Sequence, residues 1–277
     1  MRYVRLGVLA CIAAFGSIET GSAQVIVGHR GASHDAPENT LASFRLAWQQ
    51  GADGIEGDFY LTKDGQIVCI HDADTTRTGG RKLVVKDSTL AELRALDYGS
   101  WKGPQFTGEK IPTFAEVLAV VPEGKLFVIE LKSGPEIVPV LKAELERLKP
   151  RGIELLIISF DDKTVQACKR EFPNARVHWL TGYKQNTETG VWSPGEAEVA
   201  ERLRNSHADG LGTQGSREVV TADFLARLRL AGMKEFHVWT IDKPDDAKYF
   251  QSLGAVGITT NRPQFIREAL EQAGSQR

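Results

Sequence analysis

The 277 residues are 42% hydrophobic and 25% charged, the balance of a globular chain with enough apolar material for a sizeable core. With 34 Lys and Arg against 36 Asp and Glu, the net charge is -2 and the pI near 6.3. The basic excess that neutralises a nucleic-acid backbone is missing, so nucleic acid is not an expected partner.

Residues 1–23 begin with Arg2 and Arg5, run through an apolar stretch from Leu6 to Phe15 and close on Gly21-Ser22-Ala23. That order is the pattern of a secretory signal peptide cleaved after Ala23, which points to a periplasmic or secreted protein. The apolar run is well short of the ~20 residues a spanning helix needs, so no stable membrane insertion is expected after cleavage. Two competing arrangements are a lipoprotein site at Cys11, with little apolar segment before it, and an uncleaved N-terminus tethering the chain to the inner membrane. Beyond this segment only Cys69 and Cys168 remain, far apart and in apolar surroundings, and they are expected as buried thiols.

From Val25 onward, short apolar runs alternate with helical-period stretches, the pattern of repeated β-then-α units and a mainly parallel sheet. Strands are predicted at Val25–Arg30, Gly54–Tyr60, Leu126–Lys132, Leu155–Phe160, Arg176–Leu180, Asp209–Thr213, Phe236–Ile241 and Val256–Thr260. Eight strands with crossover helices favour a closed (β/α)8 TIM barrel over an open doubly wound sheet, and residues 24–277 match the ~250 of one such domain. Asn39 is expected to cap a helix over Thr40–Gln50, and Pro263 to open the last helix. Between Gly65 and Pro112 the alternation breaks. Ile67–His71 reads as an extra extended segment, and residues 72–111 as a small insertion after the second strand. Within it Thr89 and Glu92 have capping-box spacing, and Leu90, Leu93 and Leu96 recur at helical period. Its Tyr98, Trp101 and Phe106 would either cover a leaving group or pack among themselves. Gly182–Glu196 is expected as a long loop after the fifth strand.

Reaction sites in such barrels form at the carboxyl ends of the strands, where several polar residues of this chain fall. Glu56 and Asp58 are two apart on a strand and share a face. Two unpaired carboxylates there would repel, and with Glu130 on the neighbouring strand they make an all-oxygen site suited to one divalent cation, Ca2+ or Mg2+. The competing arrangement is a metal-free ion network with Arg30 and Lys132. His29 and His71 each end an extended apolar segment, which would bring two imidazoles to the same mouth as one acid and one base. Arg30 and Lys132 suit an anionic group, and with a metal they suggest phosphoryl chemistry. His34 and Glu38 fall in a loop near the mouth, while His178, His207 and His237 read as surface or packing residues.

Taken in order, His29-Arg30-Gly31, Pro37-Glu38-Asn39-Thr40, Glu56-x-Asp58, Thr62-x-Asp64-Gly65, His71-Asp72, Arg77-Thr78, Ile111-Pro112-Thr113, Ile129-Glu130-Leu131-Lys132, Val238-Trp239-Thr240 and Gly257 to Pro263 span nearly the whole mature chain. In this set the chain resembles the glycerophosphodiester phosphodiesterases. The resemblance implies a barrel with an insertion after strand two, a small-molecule substrate, and hydrolysis of glycerophosphodiesters to glycerol 3-phosphate and an alcohol with a divalent ion. It also implies an acid/base pair at His29 and His71, metal ligands at Glu56, Asp58 and Glu130, phosphate contacts at Arg30 and Lys132, and Trp239 beside the glycerol. In the family's scheme the neighbouring glycerol hydroxyl attacks phosphorus to give a cyclic phosphate that water opens. Asn261 departs from the family's more frequent Asp, and Gly57 falls where the family varies; both are expected to affect packing or loop shape rather than chemistry.

Two rivals remain open on these residues. A phospholipase D-like barrel acting on lysophospholipids or sphingomyelin would use a similar His pair and acid cluster, with an apolar membrane-facing loop. A non-catalytic periplasmic barrel that binds a phosphodiester would not need both histidines.

Overall fold

The computed structural model describes residues 24–274; the proposed export segment and its cleavage point after Ala23 lie outside the described residues. Its strands in chain order are β1 (Val25–His29), β2 (Gly54–Leu61), β3 (Ile67–Cys69), β4 (Leu126–Leu131), β5 (Glu154–Ser159), β6 (Arg176–Thr181), β7 (Lys184–Gln185), β8 (Trp192–Ser193), β9 (Gly210–Gln214), β10 (Glu235–Trp239) and β11 (Gly257–Thr260). Parallel pairing runs β1-β11-β10-β9-β6-β5-β4-β2, and β2 returns to β1, which closes an eight-stranded barrel. The eight predicted strands are these eight, with ends shifted by one or two residues. The antiparallel β3 hangs on β2, and β7 pairs with β8. The stretch expected as a plain loop after the fifth strand therefore contains a two-stranded hairpin.

The helices are α1 (Leu41–Gln49), α2 (Thr76–Gly79), α3 (Leu90–Arg94), α4 (Phe114–Leu118), α5 (Ile137–Leu148), α6 (Asp162–Glu171), α7 (Glu196–Ser206), α8 (Ala222–Leu230), α9 (Pro244–Ser252) and α10 (Pro263–Gly274). Their starts follow local chemistry. Thr89 and Glu92 make the expected capping box on α3, Thr113 and Glu116 make another on α4, and Pro263 opens α10. The cap of α1 is a correction: Thr40, not Asn39, accepts the Ser43 amide. Asn39 is instead held at φ 57 with its side chain turned into the barrel.

Two apolar layers hold the barrel. Val27, Val128, Leu156, Ile158 and Leu180 fill its interior, while the outward residues of the strands pack under the helices in one continuous core. Helix α4 has only five residues, and its Phe114 packs against Phe59 and Phe127 at centroid distances of 5.4 and 5.7 Å. Among the interior residues, His178 and His237 stack at 5.1 Å, bonded Nδ1 to Nδ1 at 2.9 Å. A Cβ at Gly212 would meet His237 at 2.5 Å, so the small residues of β9 make room for these rings. His178 and His237 thus pack against each other, as expected, and His237 also borders the cavity at the carboxyl end of the barrel. Cys69 and Cys168 are buried and unpaired.

Residues 72–111 wrap a separate small core of Val68, Ile70, Val85, Leu93, Tyr98 and Ile111. Tyr98 belongs to that core and donates its hydroxyl to the Leu93 carbonyl, so it does not face a leaving group. Among the described residues, no helix is long and apolar enough to cross a membrane.

Candidate active site

A cavity of about 110 Å³ opens at the carboxyl end of the barrel. His29, Arg30, Glu56, His71, Glu130 and Lys132, with His237, Thr240 and Thr259, form its polar lining, and Ile158, Phe160, Leu180 and Trp239 its apolar lining. Register explains the convergence. Pairing sets His29 opposite Glu56 and Asp58 opposite Glu130, and alternation turns Glu56 and Asp58 to one face. At the end of β1 the chain turns through Arg30 (φ 55) and Gly31 (φ 83), and the Arg30 amide donates to Glu56 Oε2 at 2.9 Å. Only glycine fits at 31, because a Cβ there would lie 2.4–2.6 Å from Ser43 of α1.

Oxygens of Glu56, Asp58 and Glu130 lie within 4.8 Å of one another, and all three residues are buried. Part of the metal-free network also exists. Arg30 Nε is 3.2 Å from Asp58 Oδ2, and Lys132 Nζ is 3.1 Å from Asp58 Oδ1 and 2.6 Å from Glu130 Oε1. These cations do not complete the site. Asp58 Oδ1 and Glu130 Oε1 share the one Lys132 ammonium, Glu56 Oε1 has no hydrogen-bond partner, and Glu56 has no ion pair among the described residues. Three buried oxygens with free lone pairs on adjacent strands fit a hard cation such as Ca2+ or Mg2+. Titration reflects the same crowding. Burial, then the charges of Asp58 and Glu130, push Glu56 well above the carboxylate range, and burial with the Asp58 charge raises Glu130 to about 7. Burial opposes ionisation of Asp58 too, but Lys132 and Arg30 hold it below its ordinary value.

The two imidazoles have different partners. His71 Nδ1 lies 2.7 Å from Asp72 Oδ1, and Arg77 from α2 donates through Nε to Asp72 Oδ2 at 2.7 Å. Arg77 also grips Glu38 with both terminal nitrogens at 2.7 and 2.8 Å, and Glu38 pairs with Arg30 at 2.9 Å. An ionic chain therefore links His71, through the insertion, to the loop after β1. His29 Nδ1 contacts the neutral Asn261 Oδ1 at 2.7 Å. Burial, then the Arg30 charge, lowers His29 to about 4.

All eight residues singled out in the sequence thus meet at or directly beneath this cavity. The sequence reading underrated four others. Asn39 donates to Asp58 Oδ2 at 2.8 Å, Asp72 and Arg77 support His71, and Asn261 touches His29. Asn261 corrects the expectation that it matters only for packing. Each of the four stands inside one of the ordered motifs, which was the available signal, but local patterning offered only a cap for Asn39 and nothing for the rest.

Comparison with known proteins agrees with this geometry. Residues 29–265 match the sequence profile of the glycerophosphoryl diester phosphodiesterase family. The glycerophosphodiester phosphodiesterase of Caldanaerobacter subterraneus subsp. tengcongensis is 31% identical over 254 residues, covering 90% of this chain and 99% of that one. That of Bacillus altitudinis is 30% identical over 244 residues, covering 86% and 94%. A phosphodiesterase of Oleispira antarctica, solved in complex with the product sn-glycerol-3-phosphate, superposes with a TM-score of 0.76 at 29% identity, covering 89% and 96%. The chain belongs to the glycerophosphoryl diester phosphodiesterase family and is a phosphoric diester hydrolase.

Proposed function

We propose that the protein hydrolyses glycerophosphodiesters, the deacylated products of glycerophospholipid breakdown, to sn-glycerol 3-phosphate and an alcohol, with one divalent cation held by Glu56, Asp58 and Glu130. The observation that carries this reading is the meeting of two imidazoles, two cationic side chains and three under-bonded carboxylates at one cavity. When bound, the cation would neutralise the clustered carboxylates and polarise a phosphate oxygen. Arg30 and Lys132 present charged donors to the remaining non-bridging oxygens. Both histidines have Nδ1 taken by a protein oxygen, so Nε2 of each is left for substrate. One takes a proton from the attacking oxygen and the other gives one to the departing alcohol. Trp239 and Phe160, edge to face at 5.5 Å, offer the glycerol carbons an apolar wall. The product bound to the Oleispira protein supports the same chemistry here.

The charge, apolar and small-residue order of residues 1–23 supports export to the periplasm or beyond, and cleavage after Ala23 would leave β1 intact. N-terminal sequencing of the exported protein tests this; an N-terminus other than Gln24 would refute the cleavage site. The reaction is tested by release of glycerol 3-phosphate from glycerophosphocholine, glycerophosphoethanolamine, glycerophosphoglycerol and glycerophosphoinositol, with lysophosphatidylcholine in parallel. Turnover of at least one glycerophosphodiester is expected. Turnover of lysophosphatidylcholine alone would replace this reading with the phospholipase D-like one.

A further inference from the structure

We propose that Asp242 and Asn261 are positioning residues that hold His29 as its Nδ1–H tautomer, with the Nε2 lone pair at the cavity as a base requires; the inference rests on the reaction proposed above. The argument is one of donors and acceptors. Asp242 follows β10, and Thr260 and Asn261 stand at the end of β11. Asp242 Oδ1 accepts from the Thr260 hydroxyl and from the Asn261 backbone amide, both at 2.8 Å, and Oδ2 accepts from Asn261 Nδ2 at 2.6 Å. An ionised carboxylate only accepts, so the Asn261 amide has one permitted orientation, NH2 towards Asp242 and carbonyl away. The reversed amide would set two acceptors 2.6 Å apart.

The carbonyl so placed receives Ser33 Oγ at 2.7 Å and lies 2.7 Å from His29 Nδ1. A carbonyl oxygen carries no hydrogen, so the proton in that contact belongs to His29 Nδ1. Neutral imidazole then has its lone pair on Nε2, the nitrogen left at the cavity, and that is the nitrogen a base requires. His71 differs in the charge of its partner. Asp72 fixes the same tautomer at His71 through a carboxylate.

The test uses the full chain labelled with 15N-histidine, with the His29 resonances identified by their loss in His29→Gln. The wild type is expected to show a protonated Nδ1 and a bare Nε2. Asp242→Ala and Asn261→Leu are expected to mix or invert that pattern and to lower kcat by ~10-fold or more with KM little changed, the scale of losses on removing a histidine's supporting partner. Asn261→Asp sets a second carboxylate against Asp242 and another at His29 Nδ1, and is expected to lose activity. A wild-type His29 protonated at Nε2 would overturn the proposal, as would unchanged tautomer and kcat in both single variants. Normal turnover by His29→Gln would instead remove the underlying reaction scheme, while the tautomer measurement still decides what Asp242 and Asn261 do.

Discussion

Imidazoles at this mouth are distinguished less by their own position than by what each touches at Nδ1, an amide for His29 and a carboxylate for His71. Both line the cavity rather than the barrel core, so truncation should remove chemistry and spare the fold. His29→Ala and His71→Ala are each expected to lower kcat by ~10²–10⁴-fold with the melting temperature nearly unchanged, read by glycerol 3-phosphate release and thermal melts. Full activity in either variant would sink the acid/base assignment. The pH profile carries a second expectation. Burial, then Arg30, takes His29 down to about 4 from 6.5, so the base is neutral and competent well below pH 6. The acid limb of kcat/KM should therefore fall nearer pH 4–5, and a His29-dependent limb at 6.5 would contradict the burial argument.

Elements act on the site through their ends and insertions. The 72–111 stretch folds on its own apolar cluster, which lets it deliver Arg77 to Glu38 and Asp72 without borrowing packing from the barrel core. Arg77 therefore ties the segment carrying His71 to the loop carrying Arg30. Arg77→Ala should let Asp72 turn away from His71 and lower kcat by ~10-fold. With its side chain 44% exposed, the same change should leave the melting temperature almost where it was. Unaltered kcat would show that Asp72 holds His71 unaided.

For the molecule as a whole, pairing of β4 alongside β2 sets Glu130 against Glu56 and Asp58, from which the chain separates it by the whole 72–111 insertion, and so crowds three carboxylates. The folded protein bears that crowding by holding protons: Glu130 is raised to about 7 from 4.5, and Glu56 is raised as well. Between those values the folded state binds more protons at Glu130 than the unfolded chain. Its contribution to stability is thus present below pH 4.5 and is lost as pH rises through about 7. A divalent cation competes with the same protons and removes that loss. Addition of Ca2+ or Mg2+ to chelator-treated protein should raise the melting temperature, with a gain that grows between pH 5 and 7.5, and should restore turnover. Melting and activity indifferent to thorough chelation would rule out the cation.

Barrel and motifs are legible in the sequence because their signals are local. Strand runs such as Leu126 to Ile129 are continuous apolar stretches, the Thr89 and Glu92 box lies within one helical turn, and Glu56 and Asp58 share a face by strand alternation alone. Residues whose meaning depends on a distant partner are not. Asn39 read as a cap because Thr40 and the helix are its neighbours in the chain, whereas its amide bonds Asp58, 19 positions away. Arg77 meets Glu38 across 39 positions, and His29 meets Asn261 across 232. Which amide oxygen faces which ring nitrogen is set by barrel closure, since only closure lays β11 against β1 and brings the two ends of the domain to the same histidine.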